Sequence, residues 1–103
     1  MSGEFMIYAL ICTDKPDSLA IRKANRPQHL AYLESLGETL VLAGPFTEPD
    51  GATMNGSLVV VEASSLEAAR KIAAGDPFAK AGLFAHVEIR PWLWTINNPD
   101  EEE

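Results

Sequence analysis

Apolar residues gather in four short runs along the chain, separated by two longer stretches of helical character. Phe5 to Thr13 is short, apolar and partly β-branched or aromatic, and the cluster Asp14-Lys15-Pro16 ends it as a turn would, so it reads as a strand. Asp17 or Ser18 then caps a helical stretch that extends to about Gly37, where a glycine suits the C-terminal end. Pro27 lies inside that stretch. It removes one backbone donor and crowds the preceding turn, which predicts a kink or two abutting helices. Glu38 to Gly44 forms a second apolar strand, and a loop rich in Gly, Pro, Asp and Asn leads through Asn55-Gly56 to a third strand over Ser57 to Glu62. Ser64-Ser65-Leu66-Glu67 offers a capping box in which Ser64 meets Glu67, opening an Ala-rich helix to Ala74. Asp76-Pro77 has the form of a cap and first position of another helical turn. The last strand is expected from about Phe84 to Trp94, followed by a polar, acidic tail over 97–103 that is expected to be disordered.

The order is β-α-β-β-α-β. On one four-stranded antiparallel sheet with its helices on one face, this is the ferredoxin-like α+β arrangement. If the other sheet face met water, the strands would alternate apolar and polar residues. Neither Phe5 to Cys12, nor Leu40-Val41-Leu42-Ala43, nor Leu58-Val59-Val60-Val61 alternates. Both faces are apolar and the remaining chain is too short for a second helical layer, so a second copy packed sheet to sheet is the expected cover: a homodimer or higher assembly. In the last strand Val87, Ile89 and Leu93 share one face. His86, Glu88, Arg90, Trp92 and Trp94 share the other, a mixture suited to an interface or a pocket rim.

A chain of 103 residues has room for one domain, read here as residues 1–96 with the tail after it. The formal charge is −7, and Asp100, Glu101, Glu102 and Glu103 supply four of those charges, so the body is mildly acidic. Without a basic stripe, nucleic acid and anionic membrane are poor partners. Cys12 is the single cysteine, which excludes an intrachain disulfide and a cysteine-based metal cage. The apolar run at Phe5 follows a glutamate, lacks a small-residue cleavage site and is too short to span a bilayer, so the expected location is a reducing cytoplasm.

His29 leads the residues that can do chemistry. It stands four residues from Leu33 and seven from Leu36, on or beside the inward stripe of the helix. An imidazole there is partly withdrawn from water, needs a hydrogen-bond partner, and has an ordinary pKa of about 6.5 that suits proton transfer. Its spacing alone favours a structurally held histidine. Asp76 is explained by helix capping without catalysis; a carboxylate that orients an imidazole is the alternative role. Of the arginines able to hold an anion, Arg22 reads as surface-solvated and Arg26, one turn before His29, as the better candidate, with Arg90 a third. Ser57, at a strand start, offers a hydroxyl, and His86 reads as an interface or solvated histidine. Two scattered histidines and one cysteine do not make a metal site, and no phosphate-binding loop, dinucleotide fingerprint or nucleophile elbow is present. No cofactor is expected.

Five stretches, in order, carry a family resemblance: Arg26-Pro27-Gln28-His29-Leu30-Ala31-Tyr32-Leu33; Leu42-Ala43-Gly44-Pro45-Phe46; Gly56-Ser57-Leu58; Gly75-Asp76-Pro77-Phe78 through Leu83; and Val87-Glu88-Ile89-Arg90-Pro91-Trp92. With these the chain resembles the YCII-related (YciI-like) family from about Met6 to Trp94. The resemblance implies a dimeric ferredoxin-like α/β barrel of the kind seen in muconolactone isomerases. It further implies an active site built on a pair formed by His29 and Asp76, with Gly44, Pro45, Phe46, Ser57 and Phe78 near a small-molecule pocket. One family member removes chloride from a chlorinated hydroxyquinol. The function so implied is a cofactor-free lyase, isomerase or dehydrochlorinase-like enzyme acting on a small organic acid or aromatic. The alternatives are a non-catalytic ligand-binding module and a plain dimerisation scaffold.

Overall fold

Nine residues of β1 (Met6–Asp14) alternate between a buried and a less buried side, and this alternation organises the whole domain. A computed structural model describes residues 5–100. After β1 come α1 (Leu19–Ser35), a 3₁₀ turn (Gly37–Thr39), β2 (Leu40–Thr47), β3 (Met54–Ala63), α2 (Leu66–Gly75), the single turn α3 (Pro77–Lys80) and β4 (Phe84–Trp92). The sheet is antiparallel throughout, in the order β2-β3-β1-β4. This is the ferredoxin-like arrangement. Tyr8, Leu10 and Cys12 of β1 and Val59, Val61 and Ala63 of β3 pack with Leu33 of α1 and Ala69 of α2, so both long helices cover the same sheet face. Among the described residues no helix is long and apolar enough to cross a membrane.

The residues of β1 between these inward positions point to the opposite face. Ile7, Ala9 and Ile11 lie there beside Val60 and Leu58 of β3, their register partners being Ala9↔Val60 and Ile11↔Leu58. Trp92, Arg90 and Glu88 of β4 pair with Ile7, Ala9 and Ile11 on the other flank. The uncovered face is therefore apolar along its centre, with Arg90 and Glu88 in a loose ion pair at 3.8 Å on its edge strand. Val87 and Ile89 share the helix-covered side, but Leu93 lies beyond the end of β4 and is 82% exposed.

Several boundaries differ from those read in the sequence. Helix α1 runs unbroken through Pro27 rather than splitting in two. Lys23, whose carbonyl a residue at 27 would normally bond, and Pro27 itself are both exposed, so water can serve the released carbonyl. Ser18 is the N-cap residue, yet its hydroxyl donates back to the Lys15 carbonyl instead of capping the helix. The first two residues assigned to strand β2, Glu38 and Thr39, instead form the 3₁₀ turn after Gly37, whose φ of 59° ends α1. The β2–β3 connection is shorter than expected. Asp50 accepts from the backbone N–H groups of Ala52 and Thr53 and from the Thr53 hydroxyl, closing a turn tight enough for Met54 to Gly56 to join β3. These same bonds hold the exposed Asp50 carboxyl down at about 2. Ser65, not Ser64, caps α2, accepting from the Ala68 N–H at 3.1 Å, because it is Ser65 that adopts the extended cap conformation.

Strand β4 stops at Trp92 rather than Trp94; the two indoles stack with centroids 5.6 Å apart, and the Trp94 N–H donates to the Ile96 carbonyl. Of the tail expected to be disordered, residues 97–100 carry local bonds such as Asp100 N–H to Asn98 Oδ1, and residues 101–103 lie outside the described residues.

Candidate active site

Arg22, Arg26 and His29 recur at four- and three-residue spacing on α1, which sets them along one helix face together with Leu30 and Leu33. That face looks onto the β2 and β3 strands. Between them lies a cavity of about 170 Å³, walled on the sheet side by Ala43, Gly44 and Pro45 of β2 and by Ser57 and Val59 of β3. Gly56 lets Ser57 reach this position. A Cβ at Gly56 would stand 2.5 Å from the Cys12 carbonyl oxygen, closer than any side chain permits.

The partner of His29 arrives from the junction of α2 and α3. Asp76 has an extended ψ of 129°, Pro77 opens α3, and the Asp76 carboxylate accepts from the Phe78 N–H at 2.9 Å, as a capping residue should. The same carboxylate faces His29 Nδ1 at 2.9 and 3.0 Å from its two oxygens. Both side chains are 8% exposed. An ionised carboxylate only accepts hydrogen bonds, so the imidazole donates from Nδ1–H. Nε2 is then the basic nitrogen, with no hydrogen-bond partner among the described residues, on a ring that lines the cavity. Capping and pairing are compatible because one carboxylate has lone pairs for both donors.

Phe78 is fully buried behind the pair. Its ring stacks on His29 with centroids 4.0 Å apart and planes 15° from parallel, and the Arg22 guanidinium carbon lies 4.6 Å from its centroid. Arg22 is the largest departure from the sequence reading. Instead of being solvated it is 2% exposed. Its Nε donates to Asp14 Oδ2 at 2.7 Å, and Nη2 donates to Asp14 Oδ1 at 3.0 Å and to Ser57 Oγ at 2.9 Å. The Asp14 carboxylate at the end of β1 compensates the buried charge, and a planar fork matches it at two points. Arg22 stands seven residues before His29, and that spacing was the one available signal for its inward placement. Nothing local to either residue identifies Asp14 as its partner.

Arg26 stays exposed at the cavity wall and makes no ion pair among the described residues. Phe46 does not join the group. It is 41% exposed and lines a larger groove of about 530 Å³ with Cys12, Lys15, Glu48 and Met54, away from His29. The Phe46 side chain also packs over Gly56. Phe78 backs the histidine rather than walling the cavity. His86 and Arg90 lie on the uncovered sheet face, opposite Thr13 and Ala9, far from the pocket in the topology of the sheet.

Two further groups sense the site. Burial, with repulsion from Asp76 and Asp14, pushes the Cys12 thiol up to about 12 against a smaller opposing pull from Arg22. It is therefore a packed thiol, not a nucleophile, at neutral pH. Tyr32 is likewise raised, by burial first and by Asp76 second. Its hydroxyl donates to the Ile72 carbonyl at 2.8 Å, tying α1 to α2 just before Asp76.

The YCII-related domain family matches the chain over residues 6–93. Protein YciI of Escherichia coli O6:H1 is 40% identical over 94 residues, covering 84% of this chain and 96% of its own length. The structure of 5-chloro-2-hydroxyhydroquinone dehydrochlorinase from Burkholderia phenoliruptrix AC1100, in complex with 2,5-dihydroxybenzoquinone, superposes with a TM-score of 0.80 and 36% identity, covering 90% of this chain and 99% of that one. The cofactor-independent oxygenase SnoaB from Streptomyces nogalater shares the fold, with a TM-score of 0.53 at 15% identity over 92% of this chain and 99% of its own.

Proposed function

The chain belongs to the YCII-related domain family, and on that premise we propose that it is a small enzyme that moves protons on a small organic acid or aromatic substrate without a cofactor. The observation that carries this reading is the buried His29–Asp76 pair, whose carboxylate fixes the proton on Nδ1 and leaves Nε2 basic beside a cavity. His29 takes a proton at Nε2, becoming an imidazolium whose charge Asp76 balances, and later returns it. General acid–base assistance of this kind is worth about 10²–10⁴-fold. Arg26, an exposed cation without an ion-pair partner among the described residues, supplies charge attraction for an acidic substrate in an otherwise acidic protein. The relative at 36% identity is named for dehydrochlorination, a net loss of a proton and chloride, which is chemistry that a positioned base assists.

The test uses 5-chloro-2-hydroxyhydroquinone, followed by chloride release, and 2,5-dihydroxybenzoquinone, followed by exchange of ring hydrogen for solvent deuterium. Wild-type protein is expected to accelerate at least one of these, and folded His29→Ala to lose about 10²-fold or more. Tight binding of both compounds with no turnover or exchange would assign the pocket to ligand binding instead.

The same reading includes a homodimer formed through the uncovered sheet face. Ile7, Ala9, Ile11 and Leu58, each only partly buried, form its apolar centre around the already buried Val60, and a second copy of the same sheet is the self-complementary cover. Light scattering should give twice the chain mass, and Ile11→Glu should yield a monomer or an aggregate. A monodisperse wild-type monomer at high concentration would rule the dimer out.

A further inference from the structure

Among the described residues Ser57 is the one buried hydroxyl on the cavity wall, and its hydrogen-bond direction is set by Arg22, which lines the same cavity beside it. A guanidinium can only donate. Arg22 Nη2 approaches Ser57 Oγ at 2.9 Å, so the hydroxyl oxygen must accept there. Arg22 is held in place, because its other contacts engage both oxygens of Asp14 and its guanidinium carbon lies over the Phe78 ring. No acceptor for the Ser57 hydroxyl hydrogen exists among the described residues. A serine with a lone pair engaged by Arg22 and its proton uncommitted is free to donate to a ligand in the cavity.

We infer that Ser57 is an oxyanion donor, and that the substrate class is a carbonyl or phenolic compound whose oxygen docks on Ser57 while an acidic hydrogen faces His29. This rests on the proton-transfer reading of the same site. Nε2 of His29 takes a proton from the carbon beside the carbonyl: the C–H bond breaks, an N–H bond forms, and the electron pair moves onto the carbonyl oxygen as an enolate. Ser57 donates to that oxygen as its charge grows, where a preorganised donor acts most strongly. Return of the proton from the imidazolium to another carbon completes an isomerisation; departure of a leaving group with the electron pair, followed by loss of the imidazolium proton to that group or to water, completes an elimination. Arg22 touches no reacting atom in this scheme. It is a positioning residue that holds the Ser57 oxygen as acceptor and thereby sets its proton free for the substrate.

The experiment measures binding of 4-nitrophenolate, an oxyanion probe, against nitrobenzene, which has the ring but no oxyanion. Wild-type protein is expected to bind the phenolate more tightly and to shift its absorption band. Ser57→Ala should weaken phenolate binding by about tenfold or more, abolish the shift, and leave nitrobenzene binding unchanged. Ser57→Cys, a weaker donor of similar shape, should give an intermediate shift. Arg22→Lys keeps a cation for Asp14 without the second arm to Ser57, and should reduce the shift while nitrobenzene binding persists. Equal phenolate affinity in wild type and Ser57→Ala, equal losses for both ligands, or no phenolate binding by wild type would each overturn the inference. His29→Gln should retain the shift. If it does, and the wild type moves no proton on any substrate, the proton-transfer reading fails while the donor assignment stands.

Discussion

Phe78 holds the imidazole of His29 against its own ring, 4.0 Å away and nearly parallel, while its backbone N–H donates to the carboxylate that bonds the same imidazole. One short turn of helix therefore fixes the histidine from two directions, in its ring plane through Asp76 and across that plane through Phe78. Because Phe78 is fully buried, Phe78→Ala should lose about 3–5 kcal/mol of stability in urea unfolding, with Phe78→Leu losing less. In Phe78→Leu, which refills most of the space without an aromatic face, the His29 ring resonances should lose the upfield displacement that stacking imposes. Unchanged His29 chemical shifts would contradict the stacked geometry.

Asp76 carries two jobs that substitution can separate. Asp76→Asn keeps a carbonyl oxygen for the Phe78 N–H but no longer imposes an anion on His29 Nδ1, so stability should change little. Turnover should then fall about 10²–10⁴-fold. Asp76→Ala removes the cap as well and should cost a further 0.5–2 kcal/mol, roughly, in stability. Comparing unfolding curves with turnover for the two variants checks both statements. Equal stability and equal activity for Asn and Ala would show that the cap contributes nothing.

Cys12 links the core to alkaline stability. Its folded value is raised from 9.0 to about 12, so the folded state holds the thiol proton more tightly than the unfolded chain does. The stabilisation is fully present below pH 9 and is lost as pH rises from 9 through 12. Unfolding free energy should therefore decline across that window, and Cys12→Ala should decline less steeply from a lower starting value. Alkylation by iodoacetamide at neutral pH should be slow until the protein is unfolded.

Gly75 sits where a side chain has no room. A Cβ there would lie 2.6 Å from the Tyr32 hydroxyl oxygen, which is held by its bond to the Ile72 carbonyl. Gly75→Ala should push Tyr32 aside, break that bond and cost about 1–3 kcal/mol, with Asp76 displaced along with the end of α2. The double change Gly75→Ala with Tyr32→Phe, which removes the obstructing oxygen, should recover part of the loss in chemical denaturation.

The strand pattern, the order of elements and the two-sided apolarity of the sheet were legible in the residues themselves, because side-chain alternation and turn chemistry are local properties. Asp76-Pro77 announced a helix start for the same reason, and so did the end of α1 at Gly37. The path of α1 through Pro27 was not local. It depends on which side of the helix meets water, and only packing decides that. The boundary of β3 likewise turned on Asp50 closing a hairpin across residues that read individually as loop.

For the site, the sequence determined the groups available: one imidazole on the inward stripe of a helix, one capping carboxylate, the arginines Arg22, Arg26 and Arg90, and a serine after a glycine. Family resemblance, not spacing, is what joins His29 to Asp76 at the level of sequence, since 47 residues separate them. Only the tertiary structure moved Arg22 from solvent to the interior, placed Phe46 on a different groove, and set the Arg22 guanidinium against the Ser57 oxygen. The reason is physical. A residue's type sets what bonds it can make, but burial and hydrogen-bond direction are set by partners such as Asp14 and Phe78, which reach the site on separate elements and meet Arg22 only when the chain folds.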